Sequence, residues 1–456
     1  MPKDGLHRQI LRLAVPSILA NITIPLVGLV DTAIVGHIAD ASAIGGIAIG
    51  TMLFDLLYWN FGFLRVGTSG LTAQAYGREH AQGAGFNSQV SGFRSQVSSE
   101  CAELQMRSLR VALIGALCCI AIQWVFVKGV LALVPCSEEV AAFASRYFFV
   151  RIWAAPATLC LMAMKGWFIG MQDTVSPMAT DIVVNAVNIA ASYVLAVCTP
   201  LGAVGVAWGT LIAQYVGLAL ACGIVAVKYG LLRRKVLKIK RERTAEGASL
   251  FALNSQLFVR SLCFMVVYVG FTALASKYGD TELAVASIMM KLFMLFSYFV
   301  DGFAYAGEAL VGKMFGEGRK QDTGSLVQNL FIWSVGIGAV FTLLYAVLGT
   351  ECVRLMTDDT AVLDGATPYI GWLIAMPIVS TLAFMWDGIF VGAAAGKEIR
   401  NAMIWAALAF VAGYATLAPA WGAQAIYVGY FAHLLARVIY LTAKWHPLSR
   451  NLNTAE

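Results

Sequence analysis

Long apolar runs separated by short polar turns make up most of the chain. Stretches free of Asp, Glu, Lys and Arg extend over 182–227, 323–350 and 401–436. Each is longer than the roughly 20 residues needed to cross the hydrocarbon of a bilayer. The first and third hold two crossings each, divided at Pro200-Leu201-Gly202 and at Pro419-Ala420-Trp421-Gly422. Period-two alternation is missing, so a closed barrel is not expected, and helices must satisfy the backbone in lipid. Hydropathy and turn signals predict an all-α integral membrane protein with twelve transmembrane helices near 10–36, 45–76, 108–134, 139–170, 177–199, 202–228, 249–276, 282–314, 325–350, 367–394, 400–418 and 422–444. The first run is too long for a signal peptide and lacks a cleavage site, so it is expected to remain as helix 1.

Composition agrees: 59% of the 456 residues are hydrophobic and 13% charged, against about 25% charged in soluble domains. Mean hydropathy is +0.74. Charge placement adds orientation. Lys228 to Arg243 contains eight Lys or Arg and one acid, and the positive-inside rule makes this segment cytoplasmic. Lys3, Arg8 and Arg12, then Arg78, Arg94 and Arg107, then Lys397 and Arg400 fall on the same side. Both termini are therefore expected in the cytoplasm and the protein in the cytoplasmic membrane, although Lys128, Lys277 and Arg354 run against the bias. The nine cysteines are scattered without C-x-x-C pairs, as small membrane-core residues would be. One bridge, Cys136 to Cys352, is left open by the sequence.

An internal repeat divides the chain. "RIWAAPATLCLMAMKGWFIG" (Arg151 to Gly170) matches "WLIAMPIVSTLAFMWDGIFVG" (Trp372 to Gly392) in its Pro, its aromatics and its closing G-x-F-x-G, about 222 positions later. "NFGFLRVGTSGLTAQAYGR" matches "VDGFAYAGEALVGKMFGEGR" about 240 positions later. The change of offset places an insertion in the polar stretch His80 to Glu103, read as a mobile cytoplasmic loop. Two pseudo-symmetric six-helix bundles follow: a lobe over 1–227, a basic linker over 228–248 and a second lobe over 249–456, related by an axis along the membrane normal.

Polar groups in membrane helices face the bundle interior or a water-filled cavity. In helix 1, Asn21, Gly28 and Asp31 lie within about a quarter-turn of one another, beside Pro25. Helix 5 carries Asp181, Asn185, Asn188 and Ser192 as one stripe, with Asp181 near its cytoplasmic end in a cap or loop role. Helix 8 carries Lys291, Tyr298, Asp301, Tyr305 and Glu308 as another. Helix 10 adds Asp387, and helix 7 adds Asn254 and Arg260. The second lobe's acids and bases can pair into a network, whether static or part of a substrate cavity; Asn185, Asn254 and Ser192 can equally be plain interhelical hydrogen-bonders. Asp31 differs, because no base of the first lobe has an evident place to neutralise it. Burial should then raise its pKa and make it titratable.

At "LVDTAIVGH", "DGFAYAGEALVGKMFGEGR" and "WDGIFVGAAAGKEIRNAMI" the chain resembles the multidrug and toxic compound extrusion (MATE) transporters, in particular their DinF-like subfamily. The resemblance runs nearly end to end. It implies two six-helix lobes around a central cavity and export of organic compounds in exchange for H⁺ or Na⁺. It places Asp31 at the cation-coupling site and Asn188 in the helix 5 motif, and it matches Asp387 to a helix 10 acid. Two positions depart from the family: Ser192 stands where many relatives have a second acid, and "FVRSLCF" around Arg260 lacks a helix 7 Glu.

The function expected is a cation-coupled antiporter, H⁺ favoured over Na⁺, that exports amphipathic organic molecules by alternating access, with Asp31, Asn188 and Asn21 at the coupling site. A flippase of lipid-linked precursors from the same superfamily is the alternative. An integral membrane enzyme has little support, since the five His show no metal-ligand spacing. No ATP-binding loop is found. No cofactor, resident metal or nucleic acid is expected; the partners are a small organic substrate and the bilayer, and the protein is expected to be a monomer.

Overall fold

The structure, a computed structural model, describes residues 3–38, 41–83, 99–132, 134, 136–229 and 245–451. Among them it is helical throughout. The elements are α1 (Lys3–Ile38), α2 (Ala41–Tyr58), α3 (Phe63–Gly83), α4 (Ser99–Leu131), α5 (Glu138–Arg151), α6 (Ala155–Gly170), α7 (Val175–Val197) and α8 (Gly205–Lys228). Then follow α9 (Ala245–Ala275), α10 (Asp280–Gly316), α11 (Lys320–Arg354), α12 (Thr360–Ala366), α13 (Ile370–Gly392), α14 (Gly396–Trp421) and α15 (Gln424–Asn451). Short 3-10 turns join α2 to α3, α5 to α6 and α12 to α13, so each of these pairs makes one crossing. Among the described residues this arranges the helices as twelve long segments, as the hydropathy pattern predicts. Among the described residues, 11 helices meet the length and hydropathy of a membrane span.

Local signals explain the ends. Ser137 accepts from the Val140 amide at 3.4 Å at the start of α5, and Glu138 and Glu139 complement the positive end of the helix dipole. Asp359 caps α12 through the Ala361 amide at 2.8 Å. Gly422, at a φ of +55°, supplies the left-handed turn after α14. Helices also reach further into the polar stretches than the sequence suggests: α3 runs to Gly83 and α4 begins at Ser99. The rest of the predicted loop, 84–98, and 230–244 of the basic linker lie outside the described residues.

The chain packs as two compact units, one of Leu19–Ala248 and one of Met1–Ile18 with Ser249–Glu456. The expected division at the linker thus needs one amendment, because α1 supplies residues to both units. In the second, Ala14 and Ile18 lie against Gly302, and Trp333 donates to His7 Nδ1 at 3.0 Å. These contacts tie the start of α1 to α10 and α11.

Each unit has an aromatic core. Phe54 stacks on Phe148 at 4.6 Å in one, where the Trp167 indole donates to Cys101 O at 2.9 Å. Phe271, Phe293, Tyr427 and Tyr430 cluster in the other. Outside these cores, Val125, Leu117, Val347 and Ile439 are exposed, as side chains facing lipid would be. All nine cysteines are free thiols, Cys136 and Cys352 included.

The repeat is visible in how helices touch. A Cβ built on Gly166 would come within 2.1 Å of Arg65 O, and one on Gly388 within 2.4 Å of Ala304 O. Gly170 likewise sits against Ser69 O and Ala73 N, and Gly392 against Glu308 O and Gly312 N. Arg65 therefore corresponds to Ala304, one position away from the Tyr305 that motif matching selects. Residue identity guides the sequence match, whereas the contact register follows the backbone beneath the glycines.

Candidate functional site

In the first unit, the polar stripe of α7 is satisfied by hydroxyls from α1 and α8. Asn185 Nδ2 donates to Thr23 Oγ1 at 2.6 Å, and Thr23 in turn donates to Ala20 O at 2.7 Å. One turn along, Asn188 Nδ2 donates to Thr210 Oγ1 at 3.0 Å, while Ser192 Oγ reaches Asn188 Oδ1 at 3.5 Å. Asn21, Asn188 and Ser192 are buried. Glycines make this closeness possible: a Cβ on Gly209 would lie 2.4 Å from Ser192 Oγ, so α8 approaches α7 only without one. Asp31 lies on α1, and its side chain lies outside the described residues. Thr23 and Thr210 carry no sequence signal, since Thr is ordinary in membrane helices.

Asp181 has a definite partner. It forms an ion pair with Lys165 of α6, in place of the cap or loop role expected of it. A second carboxylate, Asp173, lies in the turn before α7 and was not singled out by sequence. It accepts from Lys228 Nζ and Tyr229 OH, each at 2.7 Å, from the Ser176 amide at 3.1 Å and from the Ser176 hydroxyl. Burial raises the pKa of Asp173, but the Lys228, Ser176 and Tyr229 hydrogen bonds outweigh it and hold the carboxyl below its usual range. Burial and the neighbouring Asp173 charge push the Tyr229 phenol up.

In the second unit Asp387 pairs with Arg260, one of the residues expected to join it, and with a base the sequence did not single out. Arg260 Nη2 donates to Asp387 Oδ2 at 2.9 Å. Arg437 Nη2 of α15, 1% exposed, donates to the same oxygen. The Arg437 guanidinium also stands 5.5 Å from the centre of the Phe384 ring. His433, one turn earlier on α15, is buried and 5.5 Å from the Tyr430 ring. Asn254 and Glu308 are buried, and Tyr298 and Asp301 half-buried.

Lys291 does not join. It is exposed and makes no ion pair among the described residues. The stripe periodicity of α10 holds over several turns, but Lys291 lies too far along it to reach the acids near its middle. Arg437 was missed because it follows the uncharged run 401–436 and looks like a terminal charge.

These helices and their repeat also align with known proteins. A family model, MatE, matches residues 16–93, 99–194 and 257–415. The DNA damage-inducible protein F of Escherichia coli is 31% identical over 453 residues, covering 96% of this chain and 92% of that protein. The chain belongs to the MatE family.

The probable multidrug resistance protein NorM of Rhizobium meliloti is a more distant relative, 24% identical with 98% of this chain and 95% of that protein covered. A solved MATE structure in the bent conformation aligns over 100% of both chains at a TM-score of 0.84 and 16% identity. One in the straight conformation aligns equally well, over 99% of this chain and 97% of that one. This MatE protein is thus a multi-pass membrane transporter of the multidrug and toxin extrusion type, with the fold those structures share.

Proposed function

We propose that this transporter exports amphipathic organic molecules in exchange for H⁺ by alternating access, and that Asp31 carries the exchanged proton. The observation that supports this most is the junction of α1, α7 and α8. As first and fifth crossings, α1 and α7 run in the same direction. From the Thr23–Asn185 contact, equal steps along both helices bring the backbone of Asp31 level with that of Tyr193, beside Ser192. Asp31 therefore stands at the depth where α7 carries its polar stripe.

Lys165 of α6 is committed to Asp181. A carboxylate at bilayer depth favours its neutral form, because desolvation penalises the charge. It takes up a proton from the acidic side and gives it up on the other. Asn188 and Asn21 tune that equilibrium as hydrogen-bonding neighbours. With Ser192 in place of a second acid, fewer anionic oxygens converge than Na⁺ coordination favours. By the positive-inside rule the basic 228–243 segment supports cytoplasmic termini, and in this reading the protein acts as a monomer in the cytoplasmic membrane.

Asp31→Asn mimics the protonated form without changing shape. In vesicles with an imposed pH gradient, this variant should insert and bind dye but lose gradient-driven efflux. Wild-type efflux by the variant would remove Asp31 from the coupling role. Efflux driven by a Na⁺ gradient at constant pH would overturn the choice of ion.

A further inference from the structure

Beside the polar end of α8 lies a groove of about 570 Å³ that the transport reading does not use. Its floor is a stripe of α8 containing Ala219, Gly223, Ile224 and Val227, and Ser176 and Lys228 close one end. Three of these positions, Ala219, Gly223 and Val227, are exposed, Val227 to 80%. At bilayer depth such a wall meets hydrocarbon. The groove is open at its middle, where a Cβ on Gly223 would meet nothing within 4 Å. The stripe from Ala219 to Val227 is about 12 Å long at the rise of an α-helix, close to the ~15 Å of one leaflet's hydrocarbon.

The polar end has the opposite chemistry. Lys228 Nζ gives one hydrogen bond to Asp173 Oδ2 at 2.7 Å and a long one to Ser176 Oγ at 3.4 Å. An ammonium has three donors, and this side chain is 50% exposed. The chain then continues into seven further basic residues up to Arg243, which draw anionic headgroups to this end. We propose that the groove is a binding site for one anionic membrane phospholipid. An acyl chain lies along α8 from Val227 toward Ala219, and the phosphate sits at Lys228. Asp173 holds the lysine in place for it, at the leaflet where α8 ends.

The test is native mass spectrometry of the full-length protein released from bilayers of phosphatidylglycerol and phosphatidylethanolamine with identical acyl chains. Wild type should retain one phosphatidylglycerol in preference to phosphatidylethanolamine. Gly223→Leu fills the groove and should lose the retained lipid while keeping its melting temperature; Ala219→Phe should do the same by a second route. Lys228→Gln should weaken the preference for the anionic lipid about fivefold, the effect of one interfacial basic charge. Equal retention of the two lipids by wild type would overturn the site. So would undiminished phosphatidylglycerol retention by both groove-filling variants.

Discussion

In the first half of the chain, Gly166 and Gly170 of α6 press against the backbone of Arg65 and Ser69; in the second, Gly388 and Gly392 of α13 press against Ala304 and Glu308. The residue just before the first glycine of each pair is Lys165 in one half and Asp387 in the other. Lys165 takes its counter-charge from Asp181 of α7. Asp387 takes two, from Arg260 of α9 and Arg437 of α15. The backbone contact recurs while the charge beside it inverts. Close helix packing tolerates no side chain at the glycines, so it constrains them in both halves. The adjacent position needs only some partner of opposite sign, and a different helix can supply it.

The sharpest way to break this comparison is to remove the charges. Asp387→Ala leaves two guanidiniums, one of them fully buried, without their carboxylate. The expected cost is about 3–5 kcal/mol, visible as loss of folded, monodisperse protein in detergent. Lys165→Met should cost far less, on the order of 1 kcal/mol or below, because Lys165 and Asp181 are 29% and 17% exposed. Equal losses from the two variants would show that burial is not what separates the halves.

The glycines should behave alike where the charges do not. Gly166→Ala and Gly388→Ala each force a methyl against a carbonyl oxygen, at 2.1 Å and 2.4 Å before relaxation. Overpacking of this kind costs about 1–3 kcal/mol. Gly371→Ala, with nothing within 4 Å of the added carbon, should be neutral or stabilising. Thermal unfolding of the three variants decides the matter; a tolerated Gly388→Ala beside a damaging Gly166→Ala would end the claim of a shared framework.

The smallest effect expected is a pH dependence that Asp173 contributes in the first half. Asp173 has a folded pKa below its unfolded value, so its stabilising contribution is complete above about pH 4. It is lost as pH falls through the folded pKa. Asp173→Asn should flatten that acid limb of the stability profile, measured by thermal unfolding between pH 3 and pH 7. An unchanged acid limb would mean that Asp173 does not contribute.

Much of this was legible before the structure. Twelve crossings, the repeat, the stripe on α7 and the pairing of Arg260 with Asp387 all come from local period, run length and charge sign. The contacts that complete the sites did not. Thr23 and Thr210 bind the α7 carboxamides, but a threonine in an apolar helix looks the same whether or not it meets an asparagine. Asp173 gave no hint either, because its partners Lys228 and Tyr229 lie far along the chain. Lys291 was grouped with the acids by periodicity alone, and periodicity places side chains on a face without saying how far along the helix their partners sit.

The sequence by itself therefore determined that the chain crosses a membrane, how often, and which residues are too polar to face lipid. These are properties of single segments, governed by the cost of burying charge and unpaired backbone in hydrocarbon. Only the tertiary structure decided which residues meet: that Arg437 joins Asp387, that Lys165 takes Asp181, and that the start of α1 packs with the second unit. Such choices depend on where helices approach one another, and approach is set by glycines such as Gly166, Gly209 and Gly388. Their role lies in the atoms opposite them.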